Sequence, residues 1–263
     1  MASSADENVR SKRIYKPRSI PSGGSQHRIP KISGRGRGVV LHPAHPAVAE
    51  GRTLFPSTVV PAGRSPRLLI SGVNQRKIGK RFTRGAWKGM PIYTLTLEER
   101  ATCPRSCDQW ASCYGNNMPF ARRHIAGAAF ERKLWDELVT MNARHPRGFV
   151  VRLHILGDFY SEPYVDLWHR AFAELPALRV FGYTARDPET AIGLAVIDLN
   201  LERPDRCRIR FSGSDAGGFG ALVIEGPEDS AHVICPAQTD ATDCCATCAI
   251  CTSMQRVVEF LRH

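Results

Sequence analysis

The sequence predicts an α/β fold of five to six parallel strands, either a partial (β/α) barrel or an open doubly wound sheet. Three observations carry this expectation. From residue 91 onward, short β-branched runs alternate with stretches in which apolar residues recur at helical spacing. The chain has 263 residues with 43% hydrophobic content, enough to bury one sizeable core. Its basic charge is confined to the front: residues 1–100 hold nineteen Lys and Arg against five acids, and residues 101–263 hold seventeen against twenty.

Taken in order, residues 1–65 are rich in Arg, Lys, Ser, Gly and Pro, with Arg10, Lys12, Arg13, Lys16, Arg18 and the run Gly34-Arg35-Gly36-Arg37-Gly38. Such a composition cannot collapse, so a disordered basic arm is expected. It would serve either as a salt-sensitive contact for nucleic acid phosphates or as a solvated tail. A strand at 91–97 runs through Glu98 and Glu99 into a cysteine-bearing loop. A helix from Phe120 to about Met141 places Ile125, Ala128, Ala129, Leu134 and Leu138 at helical spacing, and His145-Pro146-Arg147-Gly148 ends it. Then come a strand at 149–156 and a helix at 162–175, with Ser161 as cap and Pro163 in its first turn. A strand at 179–184, a helix at 188–199, a strand at 206–211, a Gly-rich loop at 213–220, a strand at 221–225 and a short strand near Val233 complete the series. The expected division is an arm at 1–65, an α/β core at 66–234 and a Cys-rich segment with a C-terminal helix at 235–263. No run of eighteen apolar residues occurs, and Asp6 and Glu7 precede any apolar stretch, so no membrane partner and a cytoplasmic location are expected.

Nine cysteines without a secretion signal point to metal binding or catalysis rather than disulfides. Cys103, Cys107 and Cys113 form one group; Cys235, Cys244, Cys245, Cys248 and Cys251 form another. Cys245, Cys248 and Cys251 are each separated by two residues, and the remote Cys235 is followed by Pro236. These are the ingredients of a ferredoxin-type cluster, with the remote ligand placed first and Cys244 left as a spare. Structural zinc and unligated redox thiols are the alternatives. The first group supplies three thiolates and no nearby fourth. A four-iron cluster so held keeps one iron open, and that iron can chelate the amino and carboxylate groups of S-adenosylmethionine (SAM). The alternatives here are a zinc knuckle completed by His124, or structural cysteines.

Strand parity adds a polar face. Arg152, His154 and Asp158 share one parity at 149–158, and Arg206, Arg208, Arg210 and Ser212 alternate with Cys207, Ile209 and Phe211. If the apolar faces pack on helices, the polar faces line an interior or a cleft built for an anion; otherwise they are solvated edges. Asp158, His154 and Arg210 are the candidate catalytic residues, and Cys207 is expected in the core. The loop at 213–220 matches no phosphate-loop pattern and is read as a flexible connection or an adenosine contact.

The stretch from Leu95 through Thr102-Cys103-Pro104 to Cys113-Tyr114-Gly115, the segment Arg152 to Ser161, Gly182 to Arg186, Arg210-Phe211-Ser212 and the terminal cysteines together resemble the phage and plasmid family called gene product 88, a group similar to radical SAM proteins. The resemblance spans about residues 75–263. It implies two 4Fe–4S clusters, a reactive one on Cys103, Cys107 and Cys113 and an auxiliary one on Cys235, Cys245, Cys248 and Cys251. It also implies a SAM site at Gly157, Asp158, Thr184, Arg186 and Ser212, with Gly157-Asp158 where radical SAM enzymes hold the methionine ammonium. The spacing of three and then five residues differs from the three and two usual in radical SAM triads. An electron donor such as flavodoxin or ferredoxin is the implied partner, with nucleic acid a second partner through the arm. The alternative function is a nucleic-acid-binding protein whose zinc or iron–sulfur sites are structural.

Overall fold

A computed structural model describes residues 39–75, 77–253 and 256–262. Residues 1–38 of the expected arm lie outside the described residues. Residues 39–65, expected in the same arm, are folded. They contain the short helix α1 (Pro46–Ala49) and strand β1 (Val59–Val60), and they bury Ala47, Val48, Thr53, Ala62 and Ser65. Their composition, rich in Gly, Pro and Arg, points to an arm; side-chain contacts such as Arg52 to Glu98, Thr53 to Glu99 and Ala62 in the core hold them in the fold instead.

Strand β2 (Ile70–Ser71) pairs antiparallel with β3 (Ile92–Thr94), and β4 (Arg123–His124) pairs with β1. Helix α2 (Ala128–Arg144) begins eight residues later than expected, because Arg123 and His124 are held in the small sheet. Then follow β5 (Phe149–Leu153), α3 (Glu162–Glu174), β6 (Leu178–Thr184), α4 (Ala191–Glu202) and β7 (Cys207–Ser212). Helix α3 starts as expected, with the Ser161 hydroxyl accepting from Tyr164 N (3.3 Å) and Pro in the first turn. Strands β8 (Gly220–Ile224) and β9 (Val233–Ile234), the one-turn helices α5 (Cys245–Cys248) and α6 (Ile250–Ser253), and strand β10 (Val258–Leu261) finish the described chain.

The main sheet has eight strands in the order β2-β3-β5-β6-β7-β8-β10-β9, and all but β2 run parallel. The parallel set is thus seven strands, one or two more than expected. The addition is β10, which inserts between β8 and β9; the C-terminal helix expected there is replaced by this strand. Val257, Val258 and Glu259 are buried, so the β-branched pair fits an interior strand.

From β3 to β8 the strand order follows the chain order, so successive crossovers of one hand place the helices on one side. Helix residues Phe130, Leu134, Leu138, Tyr164, Val165, Trp168, Phe172, Val196 and Leu199 share one core with Phe149, Val151, Leu153, Leu178, Val180, Cys207, Ile209 and Phe211. All three long helices therefore cover one face, which a doubly wound sheet would divide between two. Cys207 lies in this core. The other face carries Ile92, Val150 and Phe181, and is covered by Ile78, Phe82 and Trp87 together with Cys244, Ala246 and Ala249. A strap at residues 77–90 and the Cys-rich segment thus close the side that the helices leave open. Among the described residues no helix is long and apolar enough to cross a membrane.

Candidate functional site

Both cysteine groups depend on this second face and on the C-terminal ends of β3, β5 and β6, the edge where parallel α/β sheets place their sites. After β3 the chain turns at Glu98-Glu99-Arg100, and each of these residues is buried. Glu99 meets Arg123 in an ion pair withdrawn from solvent, with Arg123 Nε donating to Oε2 (2.6 Å) and Nη2 to Oε1 (2.9 Å). The rest of the Arg123 guanidinium donates to the carbonyls of Gly115, Met118 and Ala121 and to Thr58 Oγ1. A single buried cation thereby holds the far limb of the first cysteine loop. Its charge is matched by Glu99 and its donors are spent on carbonyls, the conditions under which burying an ion pair is tolerable.

Gly157, Asp158, Thr184 and Arg186, all expected at a cofactor site, converge under the near limb of that loop. Thr184 Oγ1 donates to Asp158 Oδ1 (2.7 Å), Ala185 N to Oδ2 (2.7 Å) and Phe159 N to Oδ1 (2.7 Å). Asp158 N donates to Thr102 Oγ1 (3.1 Å), and Arg186 bridges Phe159 O (2.6 Å) and Thr102 O (2.8 Å). Gly157 sits at φ +81°, and a Cβ there would come within 2.5 Å of Leu97 and 2.6 Å of Thr102 Oγ1. Only glycine lets the loop after β5 pass this close to the residue preceding Cys103. Burial raises the Asp158 pKa to about 6, against hydrogen bonds that lower it. Its carboxylate oxygens accept from three protein donors, so in this arrangement it ties the strand ends together.

Cys103, Cys107 and Cys113 lie within electrostatic reach of one another, and Asp158 within reach of Cys103 and Cys107. Burial raises all three thiols, Cys107 to about 11. Cys235, Cys245, Cys248 and Cys251 line one pocket with Phe82, Phe181 and Val258. Burial raises Cys235, Cys245 and Cys248, and Cys251 adds to each of these shifts. Thiols crowded in such surroundings keep their protons, and a cationic metal centre is what would displace them. Among the described residues no three His, Cys, Asp or Glu side chains form a group that could hold a single metal ion.

The second group is positioned by the strap. Cys245 N donates to Lys77 O (2.7 Å), Ala246 N to Ile78 O (2.9 Å) and Thr83 N to Ala246 O (2.9 Å). Gly79 allows this approach, because a Cβ there would lie 2.6 Å from Ala246 Cβ and 2.8 Å from Cys244 Sγ. Cys244, the spare of its group, is buried against the strap.

Arg152 lies within electrostatic reach of Cys245 and Cys251 in the second group and of Tyr114 on the first loop. Its guanidinium lies 4.7 Å from the Tyr183 ring centroid and 5.4 Å from that of Phe181. Burial disfavours its charge, while Tyr183, Cys245, Cys251 and Tyr114 favour it. Tyr114 follows Cys113, and the Tyr183 hydroxyl is 2.8 Å from Cys251 Sγ. A cation and a phenol thus link the first loop to the second pocket. Sequence parity had put Arg152 on a polar face, but Tyr183 lay on the neighbouring strand with no signal to mark it.

Other expected site residues are placed differently. His154 follows the end of β5 and is buried against Phe159 and Tyr164; its Nε2 is 3.0 Å from the Tyr164 hydroxyl, and among the described residues its Nδ1 has no hydrogen-bond partner. It leaves the face that holds Arg152 because strand alternation stops at Leu153. Arg210 is buried, and its Nη1 donates to Gly220 O (3.2 Å) and Arg256 O (2.6 Å). It clamps the 218–220 loop and the approach to β10. Arg152 and Arg210 meet aromatic rings and carbonyls, Arg208 Nη1 donates to Cys207 O (3.0 Å) while its Nε has no hydrogen-bond partner among the described residues, and β7 is an interior strand rather than a solvated edge. Ser212 is exposed at the end of β7. His124 lies by Ser65 Oγ (3.4 Å) and stacks on Phe130, not on the cysteines it was considered to complete.

Fold and site define a cysteine-rich α/β protein with a mostly parallel sheet, helices on one face and two groups of thiols associated with the other face and its strand ends. The family model described as Gene product 88 matches residues 68–257, and the chain belongs to that family. No curated protein and no solved structure matches it.

Proposed function

We propose that the chain is an iron–sulfur enzyme of radical SAM type that reductively cleaves SAM to modify another molecule. The observation that carries the reading is the division of seven cysteines into a loop of three beyond the C-terminal end of β3 and a pocket lined by four. Four thiols round one pocket suit a 4Fe–4S cluster, whose irons are ligated by separate cysteines. Three thiols on a loop suit a cluster with one ligand position left for another molecule. What such a cluster supplies when bound is an open iron for the amino and carboxylate groups of SAM and the electron that breaks its sulfonium. In this reading the helix-covered, singly wound sheet is a partial (β/α) barrel, with the strap and Cys-rich segment filling its mouth.

The chain's own residues have definite tasks here. Thr102, Asp158, Thr184 and Arg186 fix the loop that bears Cys103, and Gly157 lets the backbone approach it. Arg152 sets a positive charge within reach of Cys245 and Cys251, which become anionic once deprotonated. Tyr183 offers a hydroxyl to the Cys251 sulfur, a contact that would tune a bound cluster. The electron comes from a small donor such as flavodoxin or ferredoxin.

The test is anaerobic incubation of reconstituted protein with SAM and dithionite, followed by chromatography for 5′-deoxyadenosine. The expected result is its formation by the intact chain and its absence from the Cys107→Ala variant. Protein that carries both clusters and forms none would end the SAM part of the reading.

A further inference from the structure

Arginines gather round one half-buried tyrosine at the β2–β3 side of the main sheet, toward the strand ends opposite the cysteine groups. The Tyr93 hydroxyl lies 2.9 Å from His145 Nε2, and the two rings are 5.7 Å apart. Arg144 ends α2 immediately before His145, and Arg147 follows in the turn that Gly148 N closes on His145 O (2.8 Å). Arg81 bridges Pro91, two residues before Tyr93, and its Nη1 donates to Gly89 O (2.6 Å). Arg67 precedes Leu68 and Leu69, whose amides donate to the Glu137 carboxylate on α2 (2.8 and 2.9 Å). Arg67, Arg81 and Arg144 thus come from three separate segments, and all lie within electrostatic reach of the Tyr93 phenol.

The charge here is unbalanced. Arg67, Arg81, Arg144 and Arg147 are exposed, and among the described residues none of the four makes an ion pair. Glu137, which approaches the same segment, spends its carboxylate on two backbone amides. The strap extends the charge, because residues 77–90 hold five Lys or Arg and no acid, with Lys80 and Lys88 exposed beside Arg81 and Gly89. A cation at the end of α2 complements the helix dipole, which accounts for Arg144 but not for Arg67 and Arg81. Guanidinium forks match phosphate oxygens. Presented outward from three segments, they suit a polymer of regularly spaced phosphates better than one small anion. The Tyr93 ring packs against His145 and Phe149 (5.7 and 6.5 Å), so it is spent on the fold rather than open to an unpaired base. A duplex, whose bases are already stacked, loses nothing here.

We infer that this edge of the sheet binds the phosphate backbone of duplex nucleic acid through Arg67, Arg81, Arg144 and Arg147, with Lys80 and Lys88 beside them. It is a docking surface, at the strand ends away from the thiol loop, and it stands without the cluster reading. Contact through phosphates alone is indifferent to sequence and sensitive to salt.

The experiment is fluorescence anisotropy of full-length protein with a labelled duplex of about 20 base pairs, across a salt series. Arg67→Gln combined with Arg144→Gln should lower the slope of log affinity against log salt by about two, since each phosphate contact contributes about 0.9. At about 0.1 M salt the duplex should then bind about 10- to 100-fold more weakly. Adding Arg81→Gln should lower the slope by about one more. Arg262→Gln removes an equal charge beyond β10, at the other side of the sheet, and should leave the slope unchanged. Charges elsewhere in the chain are common to all variants, so differences in slope belong to the edge. Arg67 and Arg144 are exposed, so an unchanged melting temperature will show that their variant is folded; if Arg81→Gln unsettles the strap, the double variant carries the test. An unchanged slope in the double variant, or an equal loss in Arg262→Gln, would overturn the inference. So would release of the duplex by micromolar inorganic pyrophosphate, the mark of a small-anion site, or retention on phosphatidylserine vesicles with no duplex binding.

Discussion

Arg123 and Glu99, both withdrawn from solvent and meeting at 2.6 Å, illustrate how much of the site depends on single residues away from its cysteines. Removing one partner of such a pair leaves the other charge buried. Arg123→Met should therefore cost about 3–5 kcal/mol in urea unfolding of the metal-free chain, and a loss below about 1 kcal/mol would show that the pair is solvated. Two buried histidines set the acid response. Burial and Arg152 lower the His154 pKa to about 3, and burial, Arg122 and Lys133 lower that of His124 to about 4. An unfolded histidine titrates near 6.5, so below that pH the unfolded chain binds protons that the folded chain refuses. Their contribution is complete above about pH 6.5 and is lost as pH falls toward 4 and then 3. Asp158, raised to about 6, acts in the opposite sense, gaining stability as pH falls from 6 toward the usual carboxylate value. Two groups outweigh one, so the urea midpoint of the metal-free chain should fall below pH 6.5. His154→Gln should make that fall shallower, and an unchanged slope would contradict the assignment.

At the scale of elements, residues 39–65 are part of the fold. Arg52 Nε donates to Glu98 Oε1 (2.8 Å) and Thr53 Oγ1 to Glu99 Oε1 (2.7 Å), which brings the segment against the root of the first cysteine loop. Removing residues 1–38 should leave the melting temperature within about 2 °C, whereas removing residues 1–65 strips partners from two buried acids and should lower it by several times that amount. Equal melting of both truncations would return 39–65 to the arm. The helices at 162–175 and 188–199 and the parity of Cys207, Ile209 and Phe211 were legible because amphipathic period and strand alternation are local signals. The strap and β10 were not. Thr83 pairs with Ala246 across 163 residues, and no local pattern announces such a contact. The C-terminal end reads locally as helix, yet Val258 and Glu259 pair into the sheet because burial between β8 and β9 decides the conformation of a short run.

For the whole molecule, cysteine spacing alone separated the group of three from the group of four. The fold adds their relation to each other, because a singly wound sheet leaves one face free and the strap and Cys-rich segment occupy it. Arg152 on β5 and Tyr183 on β6 then fall beside the second group. Parity pointed to the arginine but not to its aromatic partners, since cross-strand register cannot be read from one strand. The central claim is that these two places hold separate clusters. The most direct test is iron, sulfide and zinc analysis of anaerobically reconstituted protein beside the triple variant Cys103→Ala, Cys107→Ala, Cys113→Ala. The account predicts roughly eight iron and eight sulfide per chain, falling to roughly four of each in the variant, as expected for two 4Fe–4S clusters of which one is lost. Zinc without acid-labile sulfide, or loss of all iron from a variant that remains folded, would contradict it.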